Sequence, residues 1–528
     1  MTETTIPHTW SMAALCNLGE WCGGGTPSKL IDDYWNGNIP WVSPKDMKQD
    51  SIFDSEDHIT ERAVANSATK LIPRDSILCV TRSGILAHTF PVAISMVPVT
   101  VNQDIKTLTP FEGIDARYLA WALRAQEREI LETCSKDGTT VNSIESARLY
   151  AYRVPVAPQK EQLKIVAKIE KLFSELDNGI ESLKAARGQL KLYRHAVLKQ
   201  AFEGKLTTKW RNDNRSTIES PSEILSGVER DSEARYQAQF EERKVATNRR
   251  AGDSLSAKKT KTPDRPKRVA LIRERADKPL PELPIGWSWM PFSCLLTTER
   301  KAMTTGPFGT MLQKSEHQSA GVPVLGIENI GEAKFLHGNR IFVTPKKADE
   351  LHAFEAKAGD IVISRSGTVG EICEVPDGLG RALISTNLLR VSLNPTVVRS
   401  RFFVFLFQGC NAVKNQVNDL CKGSSRDFLN QSILTAITFP LPSLAEQDEV
   451  LRQIDTEMSR IERLSEEIET NLVKTTPLRQ SILKMAFSGQ LVAQDVNDEP
   501  AAVLLKRIQA EKVATDNGKK KNKKREAA

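Results

Sequence analysis

Apolar residues recur at heptad spacing from Val166 to Val197. Val166, Phe173 and Ile180 form one row; Ile169, Leu176, Leu183, Leu190 and Val197 form the other. That pattern predicts a long helix with one apolar seam, built to lie against another helix. The seam returns near the C-terminus, where Leu451, Met458 and Leu472 run beside Ile454, Ile461, Ile468 and Ile482. Neither copy is unbroken: Arg187 and Arg194 interrupt the first, Ser465 and Thr475 the second. Pro477 predicts a kink or a restart, because proline lacks the amide donor and its ring clashes with the preceding turn. One stripe signals only helix packing. Two matching stripes in one chain predict an antiparallel intramolecular pair, each helix about 44 residues and roughly 65 Å long.

The helices belong to a larger repeat. Displaced by 285 residues, positions 155–206 fall on 440–491 without a gap, and 13 of the 52 positions are identical. Chance would give about three. The pairs include Glu161/Glu446, Gln162/Gln447 and Arg194/Arg479, and LKQAFEGKL (198–206) matches LKMAFSGQL (483–491). Before each helix, Val/Ile-rich runs broken by Gly and Pro alternate with short helical stretches, which predicts a mixed α/β head. The heads open with IPHTW (6–10) and LPIGW (283–287) and share a turn, DSILCVTRSG (75–84) and GDIVISRSG (359–367). Asn102 and Asn387 precede matching strands, and Gly138-Thr139-Thr140 corresponds to Gly423-Ser424-Ser425. The division expected is a first head at 1–157, a spacer helix at 158–208, a short helix with basic linker at 209–281, a second head at 282–441, a second spacer helix at 442–495, and a short helix with a basic, disordered tail at 496–528.

Composition narrows the function by exclusion. The net charge of +7 is misleading, because residues 243–278 carry +9 and 512–528 carry +5, leaving the rest at −7. DNA binding by the heads must therefore rest on local basic patches. Eight cysteines without a CxxC pair argue against a zinc ribbon or a disulfide scaffold, and for a reducing cytoplasm. The N-terminus has neither the basic leader nor the apolar core of a signal peptide, and no apolar run approaches the roughly 20 residues that cross a bilayer. No Walker loop is present; Asn394-Pro395-Thr396 fails the adenine-methyltransferase signature, and the seven histidines never cluster at metal-ligand spacing.

Arg82 with Ser83, and Arg365 with Ser366, are the first candidates for DNA contact. A guanidinium on such a turn can clamp phosphate or reach guanine. Because both copies keep it, phosphate fits better than base readout. The same arginines could instead brace the turn or pair with Asp75 and Asp360. Lys45 and Lys48 are weaker candidates beside plain solvated surface. Thr139 and Thr140, with Lys422, Ser424, Ser425 and Arg426, lie in Gly-containing loops suited to phosphate or to nothing beyond a turn. Tyr34 and Trp41 suit base stacking, or the core.

The order of head, helix with a P-x-x-x-x-x-E-Q start and an A-F-x-G-x-L end, head and helix resembles the specificity subunit of type I restriction-modification enzymes. The likeness spans nearly the whole chain and includes the GTPS…YWNGNIPWVSPKDM run (25–47) and the paired RSG turns. It implies a bacterial or archaeal protein with two target recognition domains joined by an antiparallel coiled coil. The chain would bind double-stranded DNA, two methyltransferase subunits and motor-nuclease subunits, without catalysis of its own. S-adenosylmethionine, ATP and magnesium would belong to those partners. Three other readings stand beside it: a specificity module for a methyltransferase with no restriction partner, a coiled-coil scaffold, and a self-contained modifying enzyme.

Overall fold

The computed structural model describes residues 6–136, 141–216, 218–250, 279–365, 369–421 and 429–526. The chain divides into two compact units: Met1–Ala185 with Ile468–Ala528, and Ala186–Glu467. These cut across the expected segments, because both long helices, Gln159–Phe202 and Leu444–Phe487, contribute to both units.

In the first unit the main sheet has the order Gly19–Gly23, Ile105–Pro110, Ile77–Val80, Val92–Ser95, Ser51–Ile52. A smaller sheet centres on Trp35–Val42, antiparallel to Asp57–Ile59 and parallel to Thr100–Val101. The strand Ser11–Ala14 pairs with Arg153–Val156 and so closes the head just before its long helix. The second unit repeats the plan. Met303–Thr305, Leu388–Val391, Ile361–Ser364 and Ile372–Glu374 form the main sheet. Val322–Leu325 is antiparallel to Ile341–Val343 and parallel to Ala382–Ile384. Ser288–Pro291 pairs with Thr438–Leu441. Two helices follow the last main-sheet strand in each head, at Ala116–Ala125 and Glu127–Cys134, and at Ser400–Gly409 and Asn411–Cys421. The α/β plan is shared, with Ser51–Ile52 added to the main sheet of the first head and Glu355–Ala356 to the smaller sheet of the second.

Each unit holds an antiparallel pair of half-helices. In the first, Ile165, Val166, Ile169 and Phe173 share a core with Ile482, Leu483, Ala486 and Phe487, and Asp177 pairs with Arg479. In the second, Leu198, Ala201 and Phe202 pack with Val450 and Ile454, and the Tyr193 hydroxyl donates to Glu457 at 3.0 Å. All twelve predicted seam residues face inward: Val166, Ile169, Phe173, Ile454, Ile461 and Ile468 are buried, while Leu176, Ile180, Leu183, Leu451, Met458 and Leu472 are half-buried. Pro477 does not restart its helix, which runs on to Phe487 as one element. The carbonyl that lacks a donor there belongs to the exposed turn at Val473, within reach of water.

The repeated helix end has a mechanical reason. Ala201 and Phe202 enter the core of the second unit, Ala486 and Phe487 that of the first. Gly204 and Gly489 then take left-handed φ values of 67° and 76°. Lys205 donates its amide to Gln200 and Gln490 donates to Met485, both at 2.9 Å, which terminates each helix in a Schellman turn. A Cβ on Gly204 would strike Pro284, and one on Gly489 would strike Pro7, so the proline that opens each head seats against a helix-end glycine.

The Glu-Gln pair at each helix start is equally structural. Gln162 accepts from the Asp115 amide at 2.9 Å and donates to Ala157 at 2.9 Å; Gln447 accepts from Arg399 at 2.9 Å and donates to Val397 at 2.9 Å. Both glutamines thus tie the long helix to the head's own helix. The glutamates before them are buried but differ in company. Among the described residues Glu161 accepts only the Trp10 indole N–H, at 3.1 Å, while Glu446 meets Arg211 and Thr207. Glu161 Oε1 has no hydrogen bond among the described residues. Burial pushes the Glu161 carboxyl above its ordinary value; Asp498 adds to this, and Trp10 and Lys164 oppose it. A carboxyl whose pKa is raised by folding destabilises the fold increasingly as pH climbs from its unfolded value to its folded one, and not below. Glu161→Gln keeps the Trp10 bond and should therefore gain on the order of 1 kcal/mol at about pH 8 and nothing near pH 4. Urea denaturation at both pH values measures this; a loss at the higher pH would contradict it.

The expected C-terminal and linker helices are present as Ala501–Glu526 and Pro221–Arg250. Ala501, Leu504 and Ile508 complete the core of the first head, and Val228 joins that of the second. The tail expected to be disordered continues the helix to Glu526. Residues 251–278 of the basic linker lie outside the described residues.

Candidate nucleic-acid interface

Each head brings three segments to one edge of its main sheet. The first is the RSG turn, whose arginine amide donates to Asp104 in one head (3.2 Å) and to Asn387 in the other (2.9 Å). Asn102 and Asn387 are thus two positions apart in the shared frame. The second is the tight turn containing those acceptors, just before the next strand. The third is a glycine-led crossing segment. A Cβ on Gly24 would fall on the carbonyls of Asn102 and Val101, and one on Gly306 on that of Ser385. Glycine there lets the backbone pass directly over the turn. Side chains lock the crossing: Thr26 bonds to Gln103, and Thr386 donates to the Pro307 carbonyl at 2.6 Å.

A fourth stretch runs alongside. In the first head Ser83 donates its amide to Asn142 at 3.1 Å, and Arg82 bridges to Ser143. In the second, Leu429 donates to Arg365 at 3.3 Å. Asn142 stands two positions after Thr140, and Leu429 three after Arg426. Thr139, Thr140, Ser366, Lys422, Ser424, Ser425 and Arg426 themselves lie outside the described residues.

The two arginines have different surroundings. Arg82 is exposed, and its guanidinium has no hydrogen bond or ion pair among the described residues. Exposed Thr26, Gln103 and Asn142 surround its turn, a polar, cationic surface suited to a phosphodiester. Arg365 is 6% exposed. It donates to the carbonyls of Leu429 (3.4 Å) and Thr386 (3.3 Å) and stacks over Phe308 at 5.3 Å. Burial lowers the pKa of that guanidinium. Arg365 therefore braces the turn that Arg82 leaves open. The acids expected near them are engaged elsewhere, Asp75 with Arg74 and Asp360 with Arg300. Ser83 accepts from the Ile85 amide at 3.4 Å and caps a short 3-10 turn.

Lys45 forms ion pairs with Glu56 and Asp57, both at 3.0 Å, and these carboxylates raise its pKa. DNA would have to displace both. Lys48 is exposed and makes no ion pair among the described residues. Trp41 is core: its indole donates to the Gly25 carbonyl at 3.0 Å, and its ring meets Trp35 edge-on at 5.2 Å. Tyr34 is half-buried against the same cluster. Thr26, Gln103 and Asn142 were not identifiable from sequence, because nothing local marks that they meet beside Arg82. The glycines at 24 and 306 were the available signal.

Among the described residues, no group of three or more His, Cys, Asp or Glu is placed to hold a metal ion, and no helix is long and apolar enough to cross a membrane. The family described as the type I restriction modification DNA specificity domain matches residues 7–184 and 308–470. The chain is 45% identical over 167 residues to the EcoR124I/EcoR124II specificity subunit of Escherichia coli, covering 31% of this chain and 41% of that one. It is 33% identical over 183 residues to the MjaIX specificity subunit of Methanocaldococcus jannaschii, covering 34% and 40%. The chain thus spans about two fifths of the length of these two relatives. The StySPI specificity subunit of Salmonella potsdam is matched end to end, at 20% identity over 546 residues, 99% of this chain and 100% of that. Among solved structures, the HsdS subunit from Thermoanaerobacter tengcongensis shares the fold, with a TM-score of 0.55 at 14% identity over 93% of this chain and 99% of the other.

Proposed function

We propose that this chain, which belongs to the type I restriction-modification DNA specificity family, reads a split DNA site with one head per half. It carries no chemistry of its own; adenine methylation and cleavage are performed by methyltransferase and motor-nuclease subunits assembled on it in the cytoplasm. Those partners bind S-adenosylmethionine, ATP and magnesium. The observation that carries this reading is the duplication of topology together with the exposed polar surface around Arg82. A shared order of four main-sheet strands supplies one way of meeting the duplex twice, and the differing side chains supply two different half-sites. Half-sites facing one side of a duplex recur about every 34 Å, so a reader of this kind needs stiffness between its heads. Paired long helices give that stiffness where a flexible linker would not.

Exchange of residues 282–441 for the second head of another family member tests the reading. The expected result, from sequencing modified adenines in cells, is one half-site replaced and the other retained. A change in both halves would refute independent reading.

A further inference from the structure

In the first unit Arg479 pairs with Asp177 across the two long helices. Their counterparts in the 285-residue repeat, Arg194 and Glu462, are engaged differently. Arg194 meets Glu332, at 2.9 Å from its carboxylate and 3.2 Å from its carbonyl, and Glu462 takes Lys334. A hairpin tip of the second head thus stands where the first unit has a direct bond between helices.

The hairpin is an addition to a shared turn. Asp46 accepts from the Ser43 amide at 2.8 Å, and at the matching place Asn329 accepts from that of Gly326 at 2.9 Å. In the first head the chain then returns to its own sheet through Ser51–Ile52, and Asp50 meets Arg124 at 3.0 Å. The second head extends instead. Ile330 bridges to Phe335, Gly331 donates its amide to Lys334 at 2.9 Å, and buried Asn329 donates its side chain to the Leu336 carbonyl at 2.9 Å. At the tip Ala333 takes a left-handed φ of 57°, a conformation that a residue with a Cβ rarely adopts. The base of this head is anchored elsewhere on the same helix, by Arg399 on Asp448 at 2.8 Å. Glu462 stands about four turns, or roughly 21 Å, further along.

We infer that Glu332 and Lys334 are positioning residues that hold the second head at a fixed tilt to the helix pair, and so set how strictly the gap between half-sites is kept. This rests on the split-site reading proposed above. A head fixed at its base alone rocks about that point. A second support that far away stops the rocking, because slack at the tip then corresponds to a small angle. Exposed ion pairs add little to stability. Their effect here is angular: a tilt carries the DNA-facing edge of the head along the duplex, where one base pair is only about 3.4 Å. Because the tip offers opposite charges to the two helices, it bears on both at once.

The test uses the full chain assembled with its methyltransferase, on duplexes carrying the two half-sites at the wild-type gap and at one base pair more or less. Glu332→Ala with Lys334→Ala should raise modification of the off-gap duplexes about 10-fold over wild type, the size of two exposed ion pairs. Modification at the wild-type gap should stay within about 2-fold, as expected of surface substitutions, with both half-sequences unchanged. Folding is spared, since Arg194 and Glu462 are then free to pair as Arg479 and Asp177 do. A charge exchange, Glu332→Lys with Lys334→Glu, should relax the gap at least as much. Adding Arg194→Glu with Glu462→Arg should restore it, a rescue that a hairpin serving only its own fold would not show. An unchanged gap preference, relaxation without rescue, or equal loss at every gap would overturn the inference and leave the split site intact. No split site in wild type would instead remove the function on which it rests.

Discussion

Insertion of one heptad after Ala185 together with one after Glu467 is expected to lengthen the gap between half-sites and leave each half-sequence unchanged. Both positions lie where the compact units divide, so each head keeps its own half of the helix pair. Seven residues preserve the apolar seam, since Ile180, Leu183, Ile461 and Ile468 remain in phase with their rows. At about 1.5 Å per residue the insertion adds roughly 10 Å, or about 3 base pairs at 3.4 Å each. Sites of the original spacing should lose modification about 100-fold or more, because two heads that cannot engage together forfeit the gain from linkage. Sequencing of modified adenines reads both effects. An altered half-sequence at constant spacing would exclude the helices as a spacer.

Arg211→Ala should destabilise the second unit by about 3–5 kcal/mol, the usual loss when one partner of a buried ion pair is removed. Arg211 is buried, pairs with Glu446, donates to Thr207 at 3.2 Å and to the Gly204 carbonyl at 2.6 Å. Without it a carboxylate inside the fold keeps, among the described residues, only the Thr207 hydroxyl, at 2.7 Å. Arg211→Lys should recover little, since one ammonium cannot reproduce the planar fork that reaches three acceptors. The contrast is with Glu161, the repeat-related residue, where loss of charge is expected to help. Calorimetry of Arg211→Ala should show the transition involving the second unit lowered by roughly 10 °C. An unchanged transition would mean that this ion pair contributes nothing to the fold.

Periodicity made much of this fold legible. The seams of both helices, the matching heads and the short helices after them follow from spacing and repetition, because burial imposes the same interval wherever two helices meet. Residues that act across long separations were not legible. The helix-end motif is plain at Gly204 and Gly489, but its partners Pro284 and Pro7 stand far along the chain. The sharing of each helix between two units has no local signature at all. Arg82 and Arg365 hold the same place in the repeat, and groups from other segments, among them Phe308 and the carbonyls of Leu429 and Thr386, brace the second while the first stays exposed. Lys45 looked available until Glu56 and Asp57 arrived from the neighbouring turn and strand. Pro477 was overestimated as a breaker, because its exposed turn tolerates an unpaired carbonyl.

The most direct measurement is single-molecule sequencing of modified adenines in cells that express the intact chain with its methyltransferase partner. Twin readers on a stiff stalk require one motif of two dissimilar halves, separated by a constant run of unread bases. A single continuous motif, or halves that occur at variable distance, would contradict the account.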